Sequence, residues 1–306
     1  NASNTNTYGG VITLQGATTI GARSGSTLNL TNTITATNQN LTLYSEGTMA
    51  ISGAITTGSG TLTKTGAGTV TVSGNNTYTG TTTITTGTLQ LGAADRISNS
   101  SNMVLNGGTF STGSSSGYSE TLGTLNLNNN SIIALGTGDH TLTFANSSAV
   151  AWAGSTLTIN GWTGTAGSSG TAGKIMVGVG GLSEAQLAKI SFTGYTETRI
   201  ILGTGELVPA SPTIIVSETT RTGFSYCQST GPSSSLSYVV SGNNLTADIT
   251  ITAPTNYEVS TDNTNFHSSR TLTHSSGTVS NTTIYVRLKS GLSANTYNGE
   301  IITHTS

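Results

Sequence analysis

The residues able to do chemistry are few, and their spacing decides what they could do. Residues 1–210 hold seven acids: Glu46, Asp95, Glu120, Asp139, Glu184, Glu197 and Glu206. Cleavage of a polysaccharide would need two of them converging as acid and base, with Lys or Arg close by to steady a carboxylate-bearing substrate. Glu46 precedes Gly47, Asp95 pairs with its neighbour Arg96, and Glu184 belongs to a helix described below. Glu120 and Asp139 are 19 apart, close to the repeat length derived below, so they are the one pair a shared face could unite. No Lys or Arg lies between or beside them, and no catalytic residue is assigned.

Metal chemistry fares no better. His140, His267, His274 and His304 show no ligand spacing, and each reads as a solvated or edge histidine. Asp262-Asn263-Thr264-Asn265 has the start of an oxygen-rich calcium loop but lacks the remaining ligands and the bidentate Glu, so it reads as a hairpin turn. Cys227 is the lone cysteine, which rules out an internal disulfide; it reads as a small buried hydrophobe in a strand. No metal, cofactor or cofactor-binding residue is expected.

The elements that would position these groups are short alternating strands. Leu62-Thr63-Lys64, Val70-Thr71-Val72, Thr83-Ile84-Thr85 and Leu89-Gln90-Leu91 are each closed by glycine or by Asn75-Asn76, which makes strands of four or five residues between tight turns. A Gly-Thr unit occurs at Gly47-Thr48, Gly68-Thr69, Gly87-Thr88, Gly108-Thr109 and Gly123-Thr124, at offsets of 21, 19, 21 and 15, with an extra copy at Gly60-Thr61. Leu41, Leu62, Ile84, Leu105 and Leu127 form a second ladder with steps of 21, 22, 21 and 22. Both registers give a coil of about 20 residues, the size of one turn of a parallel β-helix made of three short strands. About ten such coils over residues 1–210 would make a rod of about 48 Å.

Thr61 to Gly92 also resembles the autotransporter-associated β-strand repeat. The residues that carry the resemblance are Leu62, Lys64, Gly66, Gly68, Thr69, Ser73, Gly74, Asn76, Tyr78, Gly80, Thr82, Gly87, Leu89, Leu91 and Gly92. The resemblance implies a secreted or surface-displayed bacterial β-solenoid. It implies no activity, because that family is defined by its scaffold.

Composition agrees with ordered β structure. Only 7% of the 306 residues are charged, 40 are glycine and the net charge is -2, whereas disorder usually requires high net charge. The 10 Lys and Arg are scattered singly, with no basic stripe for nucleic acid, and no stretch approaches the ~18 apolar residues of a membrane span. The chain starts inside a polar, turn-rich segment without a signal peptide, which suggests an excised or processed piece of something longer. The Asn-x-Ser/Thr triplets at Asn29, Asn40, Asn75 and Asn244 carry little weight in so Asn- and Thr-rich a chain. Outward Thr-x-Thr pairs, notably in Thr81 to Thr85, are concentrated around one or two turns and are good strand residues.

One helix is expected near 183–190, with Ser183 and Gln186 as a capping box, Leu182 and Leu187 as a staple, and Glu184 and Lys189 matched to the helix dipole. It would cover the open end of the solenoid. Ser111 to Tyr118 reads as a loop, and Trp152 and Trp162 as large aromatics closing the core. The run from Thr141 to Pro209 resembles the closing segment that follows such repeats in bacterial surface proteins. Pro209-Ala210-Ser211-Pro212 marks a boundary. Beyond it, residues 211–306 hold about seven longer strands, the number in an Ig-like β-sandwich. The segment also resembles the tandem Ig-like modules of large Bacteroidota surface proteins at Pro254, Tyr257, Ser260, Asp262, Tyr285, Val286, Arg287, Leu288, Tyr297 and Gly299. That resemblance implies an outer-surface protein, with type IX export as a route.

The fold class expected is therefore all-β: a right-handed parallel β-helix over residues 1–210, then an Ig-like sandwich over 211–306. The expected function is that of a non-catalytic, structural and adhesive segment of a large secreted or surface-displayed bacterial protein, a stiff stalk or filament that mediates or presents adhesion. Its partners would be other copies, neighbouring modules or surface glycans, without nucleic acid or membrane insertion. The alternatives are a carbohydrate-active β-helix enzyme and a glycan-binding module.

Overall fold

The computed structural model describes residues 5–195 and 198–306, and the chain divides into two compact units, Asn1–Pro209 and Ala210–Ser306. In the described residues of the first unit, parallel strands stack coil on coil into a β-solenoid. A nine-stranded sheet runs from Thr5–Tyr8 to Ile190–Phe192, and an eight-stranded sheet from Thr18–Ala22 to Gly173–Met176. Apolar residues line up inside, as in the column Met49, Val70, Leu89, Phe110 and Ile133. Alternation of side chains along each strand puts every second residue in that core, and the residues between face outward.

The true register differs from both sequence ladders. On the nine-stranded sheet the column is Thr5, Thr27, Thr48, Thr69, Thr88 and Thr109, followed by Ile132. Thr124 lies on the other sheet, in the strand Glu120–Asn129, so the offset of 15 was a change of face. On the eight-stranded sheet Leu41 and Leu62 stack with Thr82, whereas Ile84, Leu105 and Leu127 stack with Lys64. The apolar ladder had jumped two residues sideways. A two-residue slip keeps the same face, so alternation alone does not expose it.

Three strands per coil hold only at the start. The third sheet contains Ile12–Leu14, Ile34–Ala36 and Ile55–Thr56. In the next coil the Asn76 amide takes the strand's place: its oxygen accepts the Ile55 N–H at 2.8 Å, and its nitrogen donates to the Arg96 carbonyl at 2.7 Å. Coils also lengthen toward the far end, because Thr109, Ile132, Thr158 and Ser191 are successive members of one column. Nine strands give eight steps, or roughly 38 Å at ~4.8 Å per strand, shorter than the sequence estimate because these excursions consume residues without adding coils.

The helix is a single turn, Glu184–Leu187, with the capping box present: Gln186 N–H donates to Ser183 Oγ and Ser183 N–H to Gln186 Oε1. Gln186 Nε2 donates to the carbonyls of Ser147 and Val150, which pins the turn to the preceding coil. Lys189 lies beyond the last turn and donates to the Trp152 carbonyl, so it serves a loop and not the helix dipole. The strand Ile190–Phe192 still follows, so the turn lies within the last coil. The end of the eight-stranded sheet meets instead the antiparallel hairpin Arg199–Ile201 and Leu207–Pro209, through the bridge of Met176 with Glu206. Trp152 and Trp162 are both buried near this end.

In the second unit, two antiparallel sheets share one apolar core. Thr213–Val216, Leu236–Asn243, Val279–Leu288 and Tyr257–Ser260 form the first, and Ser269–Leu272, Ile249–Thr252 and Thr303–Thr305 the second. Val240, Val259 and Ile284 from one sheet pack in the same cluster as Ile249 and Ile251 from the other.

Candidate functional site

The acids singled out in the sequence do not assemble. Glu120 opens the strand Glu120–Asn129, pairs in register with Leu142 and is only 1% exposed. Asp139 is exposed in the turn before His140. The coil here is 22 residues long, so a spacing of 19 does not return to the same column, and one carboxylate faces in while the other faces out. Asp95 is exposed with φ 54, and Arg96 does not pair with it: the guanidinium donates to the carbonyls of Ala94 and Ser73. Glu46 and Glu184 are exposed. Glu206 is buried, accepting Ser169 Oγ–H at 2.6 Å and Gly170 N–H at 2.8 Å. Glu197 lies outside the described residues.

Glu120 continues the task of Asn76. Its Oε2 accepts the backbone N–H groups of Arg96 at 2.7 Å and Ile97 at 3.2 Å, capping the corner where a third strand is missing. Its Oε1 is buried without a hydrogen-bond partner. Burial raises the carboxyl to about 7, against the pull of those N–H groups, and the nearby Asp95 adds to the rise. The unfolded chain ionises Glu120 near its ordinary value of 4.5, so between about 4.5 and 7 the folded form holds more protons. Stability from this group is therefore present below that window and falls as pH rises through it. A shift of this size is on the order of 3 kcal/mol. Glu120→Gln should remove this slope, and melting of wild type and variant at pH 5 and pH 8 checks it: equal pH dependence in both would refute the assignment.

The repeat motif is likewise built for internal satisfaction. Lys64 is fully buried, and its ammonium donates to the carbonyls of Thr65 at 2.8 Å, Gly66 at 2.6 Å and Thr86 at 3.1 Å, joining one turn to the next. Burial lowers it to about 8, opposed by the charge of Glu46. Tyr78 Oη meets Thr82 Oγ1 at 2.8 Å, which meets Ser101 Oγ at 2.8 Å, which donates to the Gly80 carbonyl at 2.7 Å. Alternation places Lys64 and Thr82 inward, but no sequence signal shows that neighbouring coils supply their partners.

His140 is buried, not solvated as the sequence suggested. Its Nδ1 lies 2.8 Å from the Gly138 carbonyl and its Nε2 2.9 Å from Thr112 Oγ1, which in turn accepts Gly136 N–H at 2.8 Å. Both ring nitrogens and the threonine hydroxyl thus have partners. A Cβ on Gly117 or Gly173 would lie 2.0 or 2.6 Å from the imidazole, so glycines make its slot. Among the described residues no three His, Cys, Asp or Glu side chains come together to hold a metal ion.

In the second unit, Asp262 closes a turn. Its carboxylate accepts the N–H groups of Asn265 and Thr264, the Asn265 amide and the Ser260 hydroxyl, which hold it well below the usual carboxylate range. His267 is exposed, and His304 is half-buried against Tyr238. Cys227 is exposed in a segment without strand, contrary to the buried-strand reading, because residues 217–235 lack the alternation that would carry it inside.

The outward threonines form longer ranks than the sequence suggested. Six stack from Thr5 to Thr109 on the nine-stranded sheet, and four, Thr19, Thr42, Thr63 and Thr83, on the eight-stranded sheet. Beside the longer rank the next column reads Thr7, Asn29, Ala50, Thr71 and Gln90 before the buried Ser111, so no uniform two-column threonine face results.

Comparison with protein families matches residues 62–91 to the Passenger-associated-transport-repeat. This is the stretch whose lysine, tyrosine, asparagine and glycines do the work just described. No curated protein and no solved structure matches the chain. A passenger-type repeat within a parallel solenoid fits the stalk of a surface-protein passenger.

Proposed function

We propose that this chain is a non-catalytic, extracellular segment of a large bacterial surface protein, a stiff stalk or filament that presents or mediates adhesion. Residues 1–210 supply the solenoid stalk. Residues 211–306 form an Ig-like module resembling those of Bacteroidota surface proteins, a reading supported by two antiparallel sheets around one core. The single observation that carries the proposal is how the buried polar side chains are used: Lys64, Asn76, Glu120 and His140 each bond the backbone or a side chain of the same or an adjacent coil. Such groups hold coils in register and are not free to meet a substrate. The partners are other copies or neighbouring modules of the same protein, together with surface glycans. The location is the outer cell surface or the medium.

Cells displaying the chain, and the purified chain with a polysaccharide panel, test this. Neither form should release reducing or unsaturated ends, and Asp95→Ala or Asp139→Ala should leave adhesion unchanged. Cleavage by wild type that either substitution silences would overturn the proposal.

A further inference from the structure

We infer that the C-terminal unit carries a binding cleft for a neutral oligosaccharide, set between its two sheets and rimmed by residues 218–226 and 292–301. The cleft holds about 760 Å³, within the range of small-ligand sites. Tyr238, Tyr257 and Leu288 line it from the four-stranded sheet, and Ile302 and His304 from the strand side of the three-stranded sheet. The inference deepens the adhesive part of the proposed function by naming a site and a partner class. The stalk and the absence of catalysis stand independently of it.

Its aromatic rings are fixed before any ligand arrives. Phe224 and Tyr257 meet edge to face with centroids 5.3 Å apart, and Tyr257 Oη donates to the Tyr297 carbonyl at 2.9 Å. Tyr226 Oη donates to the Lys289 carbonyl at 2.8 Å and accepts Leu292 N–H at 3.0 Å, which ties the two rims together. Tyr238 Oη lies 2.8 Å from His304 Nε2, and its ring, buried in the core, serves only as floor to the cleft. Hydroxyls bonded in this way leave rings as preset apolar surfaces, and binding need not order them.

The arginine of the cleft is already paired, and its remaining carboxylate is held by an amide. Arg221 pairs with Glu218 at 2.8 Å, and Glu300 accepts the Asn256 amide at 2.6 Å. Burial holds His304 below its usual range, which favours the neutral ring. An anionic ligand would find no unpaired cation, because Arg221 is taken by Glu218, and a purely apolar one would strip water from the Thr, Ser and Asn side chains of the rims. Apolar ring faces beside hydroxyl and amide edges complement a sugar, whose C–H faces and hydroxyl edges alternate in the same way. A peptide adding as a strand would use the edge at Thr303–Thr305, but three residues offer too few backbone groups to hold one.

The full chain, applied to an array of neutral gluco-, galacto-, manno- and N-acetylglucosamine oligosaccharides with sialylated and sulfated counterparts, tests the inference. Neutral members should bind, and Phe224→Ala should weaken them at least tenfold. Thr222→Trp fills the cleft from an exposed rim position without touching the core, and should do the same with melting unchanged. Binding of no member, binding of acidic members alone, capture of extended peptides in place of sugars, or binding indifferent to both substitutions would each overturn it. A failure here leaves the polysaccharide-cleavage test of the stalk reading unaffected.

Discussion

Leu89→Asp should unfold the solenoid, while Thr88→Asp, one residue away, should be tolerated. Leu89 is fully buried, with Val70 below it and Phe110 above it in register. Removing its side chain forfeits about 2–5 kcal/mol by lost burial and the cavity left behind. The carboxyl that replaces it has no cation or donor in the column and must be buried neutral, which adds several kcal/mol at pH 7. The sum is comparable to the whole stability of a typical domain, about 5–15 kcal/mol. Thr88 is half-buried on the outer face between Thr69 and Thr109, and substitution there should cost within about 1 kcal/mol. Ile84 would be a less clean choice, because Lys64 is its neighbour in register. Both tryptophans, Trp152 and Trp162, belong to the first unit, so their fluorescence reports solenoid melting alone. Equal loss in both variants would mean that the assignment of inward and outward positions is wrong.

Alternation and punctuation were enough to read coils, because a strand with one buried face must repeat every two residues and a coil must turn at glycine. They also located the capping box at Ser183 and the loop that ends at Tyr118, although Ser111 still belongs to the strand Thr109–Ser111. What escaped is what lies between coils. Thr82 carries no apolar signal for the inner column, yet it stacks with Leu62, and its hydroxyl meets Tyr78 of its own coil and Ser101 of the next. Spacing alone pairs Glu120 with Asp139, since nothing local shows that a third strand is lost and that two N–H groups at Arg96 and Ile97 await a carboxylate. His140 reads as solvated for the same reason, its slot being made by glycines 23 residues before it and 33 after it. Each miss is a buried polar group whose partner comes from another coil, and burial of such groups is tolerable only when those partners are present. The cleft of the second unit was likewise invisible, being assembled from two sheets and two loops that are distant in sequence.

The glycines at the turns give the last prediction. Gly68 belongs to the Gly-Thr rank, and a Cβ built on it would lie 1.9 Å from the Gly47 carbonyl oxygen of the coil beneath. That oxygen is fixed, since it accepts the Thr69 N–H at 3.1 Å and the Ser45 hydroxyl at 2.8 Å. Relief would require the two coils to part at the corner where Lys64 also joins neighbouring turns, which would lengthen several hydrogen bonds at once. Gly68→Ala should therefore cost about 3 kcal/mol or more, the upper range for overpacking, although alanine is otherwise the mildest replacement for glycine. In a unit of this size that corresponds to a fall of roughly 6–12 °C in Tm. Gly16 is the control: a Cβ there meets nothing within 4 Å and its φ is ordinary, so Gly16→Ala should leave melting unchanged or raise it slightly by restricting the unfolded chain. If the two substitutions shift Tm alike, the glycines of the rank are not set by coil stacking, and the regularity of residues 62–91 would need another cause.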